Sequence, residues 1–155
     1  MKLTMLGAGR EVGKSAIMLE SGKKLVMDYG MKINEPTDLE LKHPAYPIEK
    51  EVDSAIISHA HLDHCGGLPA LFRKKKIPAF MTDVSLELTS MLIRDSIKIA
   101  RRNKFPMPFG KHELKRMIES TRGETHIDDF ETLDEEKQKA KIRLIKTGYM
   151  KGFKA

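Results

Sequence analysis

Three short apolar-rich runs open the chain, Leu3 to Leu6, Ala16 to Glu20 and Lys24 to Tyr29, with Gly-containing turns between them. Runs of this length bounded by Gly read as β-strands, and Ser21-Gly22-Lys23 is placed as a hairpin connection, so a β-meander is predicted. From Asn34 to Pro47 the pattern dissolves into polar residues punctuated by Pro36, Pro44 and Pro47, as in an irregular surface segment. Ala55-Ile56-Ile57-Ser58 then reads as a buried strand. After Gly66-Gly67-Leu68, Pro69 opens a short helical piece over Ala70 to Arg73, tolerated because the first helical turn has no intrahelical partner for its N–H groups. Ala79 to Thr82 is a further short strand, and Thr82 or Asp83 can cap a long helix from about Val84 to Asn103. Leu88, Met91, Leu92 and Ile99 recur on it at roughly helical spacing and are expected to form its buried face. Phe105-Pro106-Met107-Pro108-Phe109-Gly110 breaks the helix. His112 to Ser120 fits another short helix, and Ile142 to Ile145 a late strand after the charged stretch Asp134 to Lys141. Strands and helices together make the expected fold class α+β.

A length of 155 residues leaves room for one domain or for part of a larger one. Hydrophobic residues at 40% and charged residues at 32% fit a soluble globular chain whose core draws on Leu, Ile, Val and ten Met. Lys and Arg number 28 against 22 acidic residues, a net charge of +6 that inclines the chain toward polyanions such as nucleic acid. Cys65 is the single cysteine, which excludes an intramolecular disulfide and suits a reducing compartment, so cytoplasm is the expected location. The N-terminus lacks a signal-peptide apolar block, and no stretch approaches the ~20 apolar residues of a membrane span.

The chemistry gathers in His59-Ala60-His61-Leu62-Asp63-His64, three imidazoles and a carboxylate within six residues, directly after a strand. Neutral imidazole nitrogen and carboxylate oxygen are ligands for zinc and similar divalent ions. Histidines two apart can aim at one metal, while Asp63 and His64 can reach a second nearby. Two ions can hold and polarise one water and clamp the entering and leaving oxygens of a displacement, which suits phosphodiester or ester hydrolysis. Asp63 is also a candidate general base, as a carboxylate beside the metals.

His59, His61, Asp63 and His64 resemble the His-x-His-x-Asp-His signature of the metallo-β-lactamase superfamily. A second superfamily feature, an Asp after an upstream apolar strand, is matched by Leu25-Val26-Met27-Asp28-Tyr29-Gly30. The resemblance implies that Asp28 supports the metal ligands by hydrogen bonding. Within the superfamily, Gly7-Ala8-Gly9-Arg10-Glu11-Val12-Gly13-Lys14-Ser15, the continuation His64-Cys65-Gly66-Gly67-Leu68-Pro69, and the long helix after Thr82 are similar to the β-CASP nucleases, which include ribonuclease J and the cleavage-and-polyadenylation factors. That implies an αββα sandwich, of which residues 1 to 155 would form only the N-terminal half, a pair of Zn2+ ions, and RNA as substrate. The resemblance is convincing over residues 1 to 105 and fades over 106 to 155, and the β-CASP domain is absent. The family's next metal-binding His stands in an Ala-Gly-His or Thr-Gly-His setting; the best counterpart, Thr147-Gly148-Tyr149-Met150-Lys151-Gly152, has Tyr149 in its place. A piece of a longer protein, a truncated product and a degenerate paralogue that binds without cleaving all fit. In each case the half-sandwich is expected to expose a sheet face, which invites a homodimer or association with a missing C-terminal part. Besides RNA hydrolysis, two readings stay open: a non-catalytic RNA-binding or assembly fragment, and a small-molecule metallohydrolase.

The Gly7 to Gly13 loop lacks P-loop spacing and reads as a tight turn bordering the metal site, with Glu11 a candidate to face it. His43, His112 and His126 stand alone in polar segments and are read as solvated. Cys65 has no dedicated His and Asp partners and reads as a small buried residue. Arg73-Lys74-Lys75-Lys76 and Arg94, Lys98, Arg101, Arg102, Lys104, Lys111, Lys115 and Arg116 either line a path for a phosphate backbone or form a solvated helix face.

Overall fold

The structure, a computed structural model, describes residues 1–33 and 52–124. Five strands form one mixed sheet in the order β1-β2-β3-β4-β5: β1 (Lys2–Gly7), β2 (Ala16–Ser21), β3 (Lys23–Met27), β4 (Ser54–Ile56) and β5 (Ala79–Phe80). The first three are the antiparallel meander, with Leu3 opposite Leu19 and Leu19 opposite Leu25. Gly22, at φ 75°, makes the hairpin as tight as it is. β4 and β5 join in parallel, which requires crossover chain between each pair.

Helical segments follow the sheet: α1 (Leu62–Cys65), a 3-10 turn (Leu68–Phe72), α2 (Asp83–Asn103) and α3 (Lys111–Glu124). Thr82 caps α2 by accepting from the Ser85 backbone N–H at 3.1 Å, and Lys104 closes it in the left-handed conformation. The helices cover one sheet face. Met18, Val26, Ala55 and Ala79, which share a row across β2 to β5, are buried there with Leu68, Phe72, Ile93 and Met117.

The alternate row, Met5, Ile17, Met27, Ile56 and Phe80, crosses all five strands on the other face. Four of its members are 40% to 49% exposed, an apolar ladder with no helix over it among the described residues. Among those residues, no helix is long and apolar enough to cross a membrane.

The buried face of α2 differs from the one expected. Leu86, Thr89, Ser90, Ile93, Ile97 and Ala100 point inward, while Met91 is 52% and Ile99 49% exposed, and Leu88 and Leu92 are half-buried. The helix turns its small residues, Thr89, Ser90 and Ala100, toward the close-packed interior. Larger apolar side chains are thereby left on the outer surface. The expected irregular segment from Asn34 to Pro47, the strand at Ile142 to Ile145, and His43, His126 and Tyr149 lie outside the described residues.

Candidate metal centre

Strand β4 ends at Ile56, and the chain passes through Ile57 and Ser58 into the histidine loop; Asp63 and His64 sit on the single turn α1. Backbone hydrogen bonds lace the loop to its neighbours. Tyr29 N–H donates to His64 O (2.8 Å), Met31 N–H to Leu62 O (2.8 Å), Ser15 N–H to Asp63 O (2.8 Å) and Gly67 N–H to Tyr29 O (2.8 Å). Such close lacing needs Gly30: a Cβ there would lie 1.7 Å from the Asp63 carbonyl oxygen. Three segments distant in sequence, 13–15, 28–31 and 61–67, thus become one rigid floor.

Asp28 leaves β3 at φ 57°, a left-handed conformation that Asp tolerates better than most residues, and its carboxylate turns under the histidines. Oδ1 accepts from the Ser58 N–H at 2.7 Å. Oδ2 lies 2.9 Å from the Ser58 hydroxyl and 2.8 Å from His64 Nδ1. A carboxylate only accepts hydrogen bonds, so His64 carries its proton on Nδ1 and the serine hydroxyl points at Asp28. The Ser58 oxygen must then accept from His59 Nδ1, 2.9 Å away. In their neutral forms both rings leave Nε2 unprotonated, the state in which imidazole binds a metal.

The four candidate ligands sort into two pairs. His59 Nε2 lies 3.1 Å from His61 Nδ1, and His64 Nε2 lies 3.6 Å from Asp63 Oδ2. Two donors each bound to one tetrahedral zinc stand roughly 3.3 Å apart, given bonds near ~2.05 Å, so both separations suit donors sharing an ion. Among the described residues no three His, Cys, Asp or Glu side chains already converge on one point. Each pair is short of a full coordination set, yet the donor chemistry and the tautomers imposed by Asp28 fit a divalent metal. The rings of His59 and His64 are 4.1 Å apart, and those of His59 and His61 4.6 Å. Partial burial, followed by the neighbouring His64 and His61, pushes the His59 pKa down, which favours the neutral ligand form.

Beside the cluster a cavity of about 660 Å3 is lined by His61, Leu62 and Asp63, by Val12 and Gly13 from the glycine loop, and by Met31, Lys32, Ile33 and Leu92. The glycine loop therefore borders the site. Glu11 itself is ion-paired with Lys32 and with Lys14 (3.0 Å), and these lysines hold its carboxyl below the usual range; among the described residues it pairs with no histidine. Leu92, expected on the buried face of α2, instead contributes to the apolar wall of the cavity. Cys65 is fully buried, and burial pushes its thiol up to about 11. It is therefore no nucleophile at neutral pH. His112 is exposed on α3, beside Glu113 at 3.4 Å.

A mixed sheet whose fourth strand delivers a His-x-His-x-Asp-His loop, braced by an Asp from the end of its third, defines an α+β fold with a candidate metal site. Residues 9–139 match the metallo-beta-lactamase superfamily, and the chain belongs to that superfamily. It is 37% identical over 124 residues to the probable RNase MJ4 of Methanocaldococcus jannaschii, covering 78% of this chain and 28% of that protein. It is 33% identical over 132 residues to the transcription termination factor FttA of Thermococcus kodakarensis, covering 78% and 20%. With the cleavage and polyadenylation specificity factor 73 of Drosophila melanogaster the identity is 34% over 122 residues, covering 77% and 18%. These relatives belong to the β-CASP ribonuclease branch that the motifs resemble, and the chain corresponds to their N-terminal part. It spans between about a fifth and just over a quarter of their length.

Proposed function

We propose that this chain supplies the N-terminal part of a zinc-dependent ribonuclease site that hydrolyses RNA phosphodiesters. The observation that carries the reading is the sorting of His59 with His61 and of Asp63 with His64, at 3.1 and 3.6 Å, over one carboxylate that orients two of the rings. His59 and His61 would hold one ion and Asp63 and His64 the other. When bound, such ions supply a water acidic enough to act as hydroxide near neutral pH.

The chain's own residues do the positioning. Asp28 keeps the His64 proton on Nδ1 and, through the Ser58 hydroxyl, the His59 proton on Nδ1. Asp63 lines the cavity, where its carboxylate can orient the attacking water and accept its proton. Val12, Met31, Leu62 and Leu92 give that side of the cavity an apolar lining. On the far face of the sheet, the ladder from Met5 to Phe80 offers a surface for further chain or for a second copy.

Incubation of a labelled single-stranded RNA with the chain and zinc or manganese tests the reading. Cleavage that a chelator stops, and that His59→Ala and Asp63→Asn abolish, supports it. RNA binding without turnover in every metal assigns the chain instead to a non-catalytic RNA-binding role.

A further inference from the structure

Basic residues far apart in sequence meet between α2 and α3. Arg94 and Lys98 stand one turn apart on α2, Lys111 and Lys115 one turn apart on α3, and the four line a groove of about 500 Å3. The run at Arg73 to Lys76 is drawn to its edge. Arg116 donates to the carbonyl oxygens of Phe72 and Arg73 at 3.1 and 3.0 Å, and Lys76 Nζ reaches Glu119 at 2.7 Å. Of the described residues lining the groove, Glu119 is the one carboxylate, and Lys76 and Lys115 already engage it. Arg94 and Lys111 have no ion pair among the described residues.

The groove has an apolar floor of Ile97, Leu114 and the half-buried Ile118. Its two walls are cationic and attract a polyanion. A groove of about 500 Å3 is on the scale of a short stretch of one strand rather than of a duplex. No aromatic ring lines the groove among the described residues, so bases have no stacking platform and contacts fall on the backbone.

We propose that this groove binds the phosphodiester backbone of single-stranded RNA as an anchor separate from the metal centre. Leu92 lines the cavity at the histidines and Arg94 lines the groove. Two residues are about 200° apart round a helix, so the two sites flank α2 and are separated by roughly its diameter, ~10–12 Å. The anchor rests on the ribonuclease reading and adds to it a holding point away from the scissile bond.

Anisotropy of a fluorescein-labelled single-stranded RNA with the full chain, measured across a salt series in chelator, tests the anchor without cleavage. The triple variant Arg94→Ala/Lys111→Ala/Lys115→Ala is compared with Lys2→Ala/Lys23→Ala/Lys24→Ala, which removes the same charge elsewhere. Three lost phosphate contacts should reduce the slope of log affinity against log salt by about 2 in the groove triple only. The charge-preserving Arg94→Lys/Lys111→Arg/Lys115→Arg should retain the parental slope, which separates lost charge from lost folding. Equal slopes for the two alanine triples overturn the anchor while leaving the RNA reading intact, and no RNA binding by the parent chain overturns both. An acidic helical peptide that needs the groove residues when RNA does not would reassign the groove to a protein partner.

Discussion

Replacing Asp28 by Asn changes one atom and inverts two tautomers. The carboxylate now accepts from the Ser58 N–H, the Ser58 hydroxyl and His64 Nδ1 at 2.7, 2.9 and 2.8 Å. In Asp28→Asn the amide oxygen can keep the Ser58 N–H, but the NH2 group faces the other two partners and donates to both. His64 Nδ1 must then accept, which sends its proton to Nε2. The Ser58 hydroxyl, now receiving a hydrogen bond, is free to donate to His59 Nδ1 and sends that proton to Nε2 as well. Both ligand nitrogens are blocked. Loss of one such supporting group typically weakens metal binding by ~10- to 100-fold, or about 1.4–2.8 kcal/mol, and two inverted rings place the expected loss near the upper figure. Ser58→Ala, which releases His59 alone, should cost roughly tenfold. Zinc titration by calorimetry on the parent and the two variants reads these values. An Asp28→Asn protein that is folded and binds zinc as the parent does would refute the tautomer argument.

Further outcomes follow from particular contacts. Gly30→Ala puts a Cβ against the Asp63 carbonyl, where no rotamer relieves it, and should cost ~3 kcal/mol or more and lower the melting temperature by roughly 10 °C; an unchanged melt would mean that the floor of the site is looser than described. Thr82→Ala removes the cap that accepts from Ser85 and should lose ~1 kcal/mol in urea denaturation, with Thr82→Ser retaining most of it. The Cys65 thiol, raised by burial from its ordinary value near 9 to about 11, favours the folded state fully below pH 9 and loses that contribution as the pH climbs toward 11. Stability of the parent should therefore fall over this window more than that of Cys65→Ala, and a thiol reagent at pH 8 should react with the unfolded chain only.

The site was more legible in the sequence than the packing that holds it. His59 to His64 stand adjacent in the chain, so their meeting needs only a strand end and one helical turn, whereas Asp28 was legible only through the family resemblance. The meander fell within a residue or two of its observed bounds. β3 stops at Met27 rather than Tyr29 because Asp28 turns left-handed, and β5 is two residues rather than four because Met81 and Thr82 turn toward the cap of α2. The buried face of α2 was not legible. Leu86, Ile93 and Ile97 recur at helical spacing as Leu88, Leu92 and Ile99 do, and it is the former stripe, with the small Thr89, Ser90 and Ala100 between, that packs inward and leaves Met91 and Ile99 outside. Nor could spacing reveal that Arg94 and Lys111, seventeen positions apart in number, line the same groove. Side chains joined by the crossing of two helices carry no local signal of their meeting.

The most direct test is equilibrium dialysis of the chain against zinc, with elemental analysis of the bound metal, for the parent and for His59→Ala/His61→Ala. The pairing of donors at His59 with His61 and at Asp63 with His64 predicts one to two ions bound by the parent and a loss of affinity or stoichiometry in the double variant. A folded parent that retains no zinc, or a double variant that binds as the parent does, contradicts the assignment of the metal centre.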